Sequence, residues 1–358
     1  MGEFETSSDG SLLTFITTYE CGACCSHCLM SCSPNRHERL TFDQMKSAID
    51  RFHNEDKCGL VVFTGGECTR LGSDLFDAIA YANIKGIATR IVTNAEWATD
   101  DHAAKTMIQS FRESGLDELN ISFDDFHAEW VPVENVARVW KAAKKQGFAS
   151  VVLAAGSGPI SKYTPEKAEE LLGESIPSIR HSDRSLQQVP DPDADGTVYV
   201  ISRSTIARIG RGRHIDEGYC DIEQVKSMPH VRCSDSNNQP VITPNYHVGL
   251  CCGLDPEGNA ILDLGPFEAF RGMDEFRKVF IATAETLGPG FLVDLVRSEL
   301  PDIGFGRSWY SSACEMCEDL SRSQAAMGVL MRNLDNIGKA VDAEKFVQSF
   351  LEAGLNEK

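Results

Sequence analysis

The sequence predicts an α/β fold built on a parallel sheet, followed by a smaller unit of different organisation. Three observations lead there. Strand-like and helix-like segments alternate at intervals of about thirty residues as far as Ile201, the rhythm of right-handed βαβ units. The strand segments are near-continuous apolar runs, as in strands covered on both faces. From about Arg203 the alternation stops. Six units precede the break, which favours a partial (β/α)6 TIM-type barrel over an open doubly wound sheet, although periodicity alone is compatible with both.

Leu12–Tyr19 reads as the first strand. Thr41–Phe52 follows as a helix, with Phe42, Met45, Ile49 and Phe52 on one face and Thr41 with Gln44 as a capping box. Leu60–Phe63 is a second strand and runs into Thr64-Gly65-Gly66. A helix at Leu75–Ala82, a strand at Ala88–Val92, a helix at Asp101–Arg112 and a strand at Leu119–Phe123 continue the pattern. Val133–Lys145 is the next helix, Val151–Ala154 the next strand, Pro165–Leu172 a further helix and Val198–Ile201 the sixth strand. Beyond these, Gly210-Arg-Gly-Arg213 is a turn-prone basic loop, Ser234–Pro244 is polar, and Asp335–Leu351 is an amphipathic helix ended by Gly354. The expected units are residues 12–202, 203–330 and a C-terminal helix over 331–358.

Composition narrows the partners. With 34 Lys+Arg against 53 Asp+Glu the net charge is -19, which repels nucleic-acid backbones and anionic membranes at long range. The longest apolar runs, Gly59–Phe63 and Ser150–Ala155, are strand-sized and far short of a bilayer crossing. Met1–Ser11 carries Glu3, Glu5 and Asp9 where a secretory signal needs positive charge and an apolar stretch. The expectation is a cytoplasmic protein, with no nucleic-acid or membrane partner. In a reducing compartment its 13 cysteines read as metal ligands or catalytic thiols rather than disulfides.

Those cysteines are clustered. Five lie in Cys21-Gly-Ala-Cys24-Cys25-Ser-His-Cys28-Leu-Met-Ser-Cys32, while Cys58 and Cys68 are isolated. None occurs from Leu71 to Tyr219. Cys220, Cys233, the pair Cys251–Cys252 and Cys314-Glu-Met-Cys317 then follow. Two groups on separate pieces of chain suggest two metal sites. Cys21, Cys25 and Cys28 have the spacing C-x3-C-x2-C at the end of the first strand, and three thiolates on a short loop can hold three irons of a [4Fe–4S] cube and leave the fourth open. A closed zinc site is the alternative, with Cys24 or Cys32 as fourth ligand.

C-x3-C-x2-C after the first strand, with His27 just before the last cysteine, together with Gly65-Gly66-Glu67 after the second strand, resembles the radical S-adenosylmethionine superfamily. The resemblance covers roughly Leu12–Ser202 and implies a partial (β/α)6 barrel. It implies a [4Fe–4S] cluster whose open iron binds S-adenosylmethionine, and a flavodoxin- or ferredoxin-type electron donor. One electron then yields a 5′-deoxyadenosyl radical that abstracts hydrogen from substrate. The glycines allow a backbone to approach a ligand closely, and the Glu67 carboxylate can accept from an ammonium group; a plain strand-to-helix turn would also account for the glycines. The superfamily usually has Pro where Cys68 stands here. By the same resemblance Asn94 and Ser122, at the ends of the third and fourth strands, face the ribose hydroxyls. Asp124, Asp125 and His127 either face substrate or, for one of the aspartates, cap a helix.

The second group resembles the auxiliary-cluster twitch domain, a shortened SPASM domain. From Cys233 twelve residues lead to Tyr246, which stands where the SPASM motif has Gly, and four more lead to Cys251. No cysteine follows Cys317, which fits one auxiliary [4Fe–4S] cluster rather than two. Its most economical ligands are Cys233, Cys251, Cys314 and Cys317, with zinc again the alternative. Cys252 and Cys220 could replace a ligand or donate a hydrogen atom.

The expected function is peptide modification by crosslinking or epimerisation, or oxidation of a small molecule such as an aminocyclitol. The short stretch before Cys21 leaves no room for a winged-helix leader-binding domain, which counts against a peptide, whereas the length of Ile179–Tyr219 offers a peptide groove. A non-enzymatic iron–sulfur or zinc scaffold would have little reason to keep both motifs. A glycyl-radical activase would have ferredoxin-like cysteine spacing.

Overall fold

The computed structural model of the chain describes residues 12–56, 58–180, 192–220, 231–233, 239–257 and 259–355. The N-terminal Met1–Ser11 run, the middle of the 179–219 segment and the start of Ser234–Pro244 therefore lie outside the described residues. The first half alternates as expected: β1 (Leu12–Ile16), α1 (Phe42–Asp56), β2 (Leu60–Thr64), α2 (Ser73–Ile84), β3 (Ala88–Thr93), α3 (Asp101–Glu113) and β4 (Glu118–Phe123). A four-residue turn of helix, α4 (Asp125–Ala128), precedes α5 (Val133–Ala143), β5 (Ser150–Gly156) and α6 (Pro165–Leu172). The short β6 (Ser178–Arg180), which lacks an apolar run to announce it, comes before β7 (Val198–Ser204).

Strands β1, β2, β3, β4, β5 and β7 pair in that order, all parallel, with β6 on the outer edge of β7. This is the partial (β/α)6 barrel. Leu13, Phe15, Val61, Phe63, Ile91, Leu119, Ile121, Phe123, Val151 and Leu153 point to the helical layer and form the main core with Met45, Ile49, Leu75, Ile108 and Trp140. Because successive side chains alternate, Asn120 and Ser122 lie on the opposite, inner face. Helix starts are chemically marked. Thr41 and Gln44 exchange the two hydrogen bonds of a capping box, Asp100 caps α3, and Thr164 with Pro165 opens α6.

Among the described residues, the strands beyond β7 join the same sheet. β8 (Val241–Ile242) pairs parallel with β1, and β9 (His247–Gly249) and β10 (Asp263–Pro266) continue antiparallel from it, extending the barrel sheet past its first strand. Helices α7 (Glu275–Thr286), α8 (Pro289–Glu299), α9 (Ala313–Arg322), α10 (Gln324–Arg332) and α11 (Leu334–Leu355) follow. A second core of Phe280, Leu292, Val293, Val296, Met316, Leu320 and Val329 holds them together. Among the described residues no single helix is long and apolar enough to cross a bilayer.

Candidate active site

The first cysteine loop sits at the C-terminal end of the parallel strands, where a barrel presents its loops. The backbone leading into it is pinned. Thr17 N–H donates to the Thr64 carbonyl (2.8 Å), Gly66 N–H to Thr18 (2.7 Å) and Glu67 N–H to Glu20 (2.9 Å). Cys21 N–H donates to Ser33 and Ser33 N–H to Tyr19, both at 3.2 Å, closing the base of the loop. Inside it, Cys28 N–H donates to Cys25 (3.1 Å) and Ser31 N–H to Cys28 (3.3 Å).

Cys21 and Cys25 are buried and Cys28 half-buried. Burial pushes the Cys21 thiol up to about 12 and Cys25 higher still. Cys28 is held below its ordinary value, chiefly by a hydrogen bond from the Cys32 thiol, against burial and with help from the Arg211 charge. A pocket that penalises the Cys21 and Cys25 thiolates fits a bound cationic centre, which displaces the thiol protons. Among the described residues the trio of ligand atoms converging within 4.8 Å is His27, Asp124 and His127, and no cysteine belongs to it. Tetrahedral zinc with Zn–S of about 2.3 Å needs sulfurs about 3.8 Å apart. The three thiols of the first loop are a donor set that an iron–sulfur core takes as well.

Glu67 is fully buried, and its carboxylate takes internal donors: Thr69 N–H (3.3 Å), the Thr69 hydroxyl (2.8 Å), the Thr93 hydroxyl (2.9 Å) and Asn94 N–H (2.9 Å). Burial raises its pKa against these donors. Beside the ammonium contact that the sequence suggested for it, the carboxylate ties the loop after β2 to the loop after β3. The close approach that glycine permits is also internal. A methyl group on Gly66 would collide with the Glu20 carbonyl, so the glycine segment lies flush against the strand leading to Cys21.

Asn94, expected at the ribose, donates through Nδ2 to Cys21 Sγ (3.4 Å), to which Ala23 N–H also donates (3.4 Å). Ser122 is half-buried on the inner face of β4, beside Ala154 of β5. Asp124 does cap a helix: Oδ1 accepts from Phe126 and His127 N–H, both at 2.9 Å. Its Oδ2 meets His127 Nδ1 at 2.7 Å and His27 Nε2 at 3.4 Å. Burial alone would raise Asp124, yet the two imidazoles outweigh it and hold the carboxyl well below the usual range. His27 stacks on Phe126 at 4.6 Å, so the cysteine loop is docked onto the end of β4. Asp125 accepts from Lys162 and Tyr163 N–H and anchors the loop after β5.

At the second group, Cys233 N–H donates to the Ala284 carbonyl at the end of α7 (2.8 Å), Cys251 follows β9, and Cys314 and Cys317 lie on α9, capped by Ser312. Burial lifts the Cys251 thiol to about 12 and Cys317 well above its ordinary value. Cys317 lies near enough to Cys314, Cys251 and Cys233 for their charges to raise it further. The pair Cys251–Cys252 straddles two environments. Cys251, Cys314 and Cys317 border the second core, whereas Cys252 borders the small core that contains Cys21 and Cys25. Cys220, the other suggested hydrogen donor, has no exposure and lies beside Ser311 and Glu315 rather than among the first loop's sulfurs.

Sequence reasoning missed Arg70 and Arg211. Arg70 bridges Glu20 (2.9 Å) and Glu96 (2.6 Å), and Glu96 accepts from Gly22 N–H (2.9 Å). Arg211 holds carbonyls of the cysteine loop. Their only signal was charge in a turn, and long-range partners of a turn are not encoded in its spacing.

Residues 15–174 match the family model described as Radical SAM superfamily. The chain carries a radical SAM domain. Enzymes of this superfamily use a [4Fe–4S] cluster and S-adenosylmethionine, and the radical SAM match spans Cys21, Cys25, Cys28 and Gly65–Glu67. An AdoMet-dependent heme synthase of Nitratidesulfovibrio vulgaris is 30% identical over 33% of this chain and 32% of its own length. YydG of Bacillus subtilis, assigned to peptide biosynthesis, is 21% identical over 45% of this chain and 50% of its own. The chain thus spans about a third to a half of the length of these curated relatives. Among solved structures, native anSMEcpe with bound AdoMet and Cp18Cys peptide aligns over 92% of this chain and 99% of that one, at 13% identity and a TM-score of 0.47.

Proposed function

We propose that the chain is a radical S-adenosylmethionine enzyme that carries one auxiliary [4Fe–4S] cluster and modifies a ribosomally made peptide. The observation that carries the first part is the three-sulfur loop in a dry pocket at the barrel mouth, clamped by Gly66, Glu67 and Asn94. When bound, the cluster and S-adenosylmethionine supply a 5′-deoxyadenosyl radical that takes a hydrogen atom from substrate. The chain's own residues do the rest. Cys21, Cys25 and Cys28 hold the cluster and leave one vertex free, and Asn94 Nδ2 and Ala23 N–H donate to Cys21 Sγ and tune it. Ser122 offers a hydroxyl on the inner face, and Cys233, Cys251, Cys314 and Cys317 hold the auxiliary cluster. Cys252, which borders the small core containing Cys21 and Cys25, is preferred over Cys220 as the thiol that returns a hydrogen atom if the outcome is epimerisation. A flavodoxin- or ferredoxin-type protein supplies the electron.

The peptide substrate is supported by the likeness to YydG. The test is anaerobic reconstitution with iron and sulfide, followed by reaction with S-adenosylmethionine and reductant. The expected result is about eight irons per chain in the wild type and about four in Cys25→Ala, with no 5′-deoxyadenosine from the variant. Zinc as the sole metal at Cys21, Cys25 and Cys28 would overturn the proposal. Mass spectrometry of a co-encoded peptide after turnover then separates a peptide substrate from a small one.

A further inference from the structure

The turn at residues 208–213 lies between the two cysteine groups and touches both. On one side Arg211 reaches three carbonyls of the first loop: its N–H donates to Cys28 (3.0 Å), Nη1 to Cys25 (3.0 Å) and Nη2 to Cys32 (2.6 Å). On the other side its neighbours grip α9, the helix that bears Cys314 and Cys317. Arg208 N–H donates to Glu315 (2.8 Å), Gly210 N–H to Glu318 (2.9 Å), and the Arg213 guanidinium to Glu318 and Asp319, both at 2.7 Å. Glu315, Glu318 and Asp319 are buried, and Arg307 adds further ion pairs to all three.

The turn also fits tightly. Gly210 has φ +56, and a methyl group there would collide with the Leu29 carbonyl; one on Gly212 would lie 3.0 Å from His27 Cα. Only glycine lets the turn lie flat on the cysteine loop.

Resting on the two-cluster reading above, we propose that Arg211 is a positioning residue that straps the first cysteine loop to the helix carrying Cys314 and Cys317. Loosening at the second site is thereby transmitted to the first. A bidentate guanidinium suits this task because it satisfies two buried carbonyls at once and fixes their separation. Its positive charge, held beside Cys28, also favours the added electron of a reduced cluster.

The experiment compares the reconstituted full-length wild type with Arg211→Gln, Arg211→Lys and Glu318→Gln by amide hydrogen exchange at residues 22–33 and by the midpoint potential of the first cluster. Arg211→Gln should speed exchange there about tenfold and move the midpoint to more negative values. Arg211→Lys should recover most of the potential but not the protection, since one ammonium cannot span two carbonyls. It also serves as the readable variant if the glutamine form fails to fold. Glu318→Gln, which alters a carboxylate bonded to Gly210 and Arg213 and not to the first loop, should quicken exchange at 22–33 with Arg211 intact. Unchanged exchange and potential in both Arg211 variants would overturn the strap, and unchanged exchange in Glu318→Gln would overturn the transmission. If the wild type binds no iron at the first loop, the proposed function fails, whereas the exchange measurements still decide the strap.

Discussion

At the first site the three proposed ligands fall between positions 21 and 28 on one loop, whose flanks are pinned to Thr64, Gly66, Glu67 and Ser33 by backbone hydrogen bonds. At the second, Cys233, Cys251 and the pair Cys314–Cys317 arrive from three segments that meet only through tertiary packing, and Cys233 has one backbone bond to α7. The first site is a local structure that the barrel positions; the second is a junction that helps to define its surroundings. A loop whose hydrogen bonds are complete keeps its shape without metal, whereas a junction of otherwise weakly tied segments draws part of its order from the metal.

The sharpest way to break this contrast is to damage the first site without touching a ligand. Gly66→Ala places a methyl group against the Glu20 carbonyl, and backbone on both sides is hydrogen-bonded and cannot yield. The expected loss is about 2–3 kcal/mol of stability in urea unfolding. About four irons should go with it, and the second site should keep its own complement. Equal loss of iron from both sites, or loss from neither, would contradict a first site shaped by its own local backbone.

Metal removal tests the other half of the comparison. After chelation, exchange at residues 231–233 and around Cys251 should rise by about tenfold or more, while amides 19–21, 28 and 33, which receive only what the turn at 208–213 passes on, should change by no more than about threefold. The reverse order would mean that the first loop is the one shaped by its metal.

The same contrast explains what could be read from the sequence. The barrel was legible because each βαβ unit carries its own periodicity and caps, down to the exchange between Thr41 and Gln44. The first cysteine loop was legible because its ligands are close in sequence. β6 was not, since Ser178–Arg180 has no apolar pattern, and neither was the joining of β8 to β1, which depends on a partner more than two hundred residues away. Asp124 illustrates the limit. Its place at a strand end suggested either a cap or a substrate contact, and only the folded chain shows the same carboxylate capping α4 and gathering His127 and His27. The turn at 208–213 was legible only as a basic, turn-prone loop, and the folded chain shows its charges facing buried carboxylates and carbonyls.

The smallest expected effect belongs to that Asp124 cluster, which ties the first loop to β4 and has a titrating member. Burial opposes protonation of His127, but the adjacent Asp124 carboxylate outweighs it and raises the imidazole above its ordinary value of about 6.5. With the folded value above the unfolded one, the native chain binds the extra proton. The resulting stability is complete below about pH 6.5 and is lost as pH rises through the raised folded value. A single such group gives a slope of at most about −1.4 kcal/mol per pH unit in that window. Asp124→Asn removes the charge that holds the proton and should flatten the slope between pH 6.5 and 8, measured by urea unfolding before iron is added. Because Asp124 is itself held below the usual carboxylate range, its own contribution is present above about pH 4 and disappears only as pH falls through its lowered value. A variant that keeps the wild-type slope from pH 6.5 to 8 would move the titrating group out of the first site and leave the docking of His27 to packing on Phe126 alone.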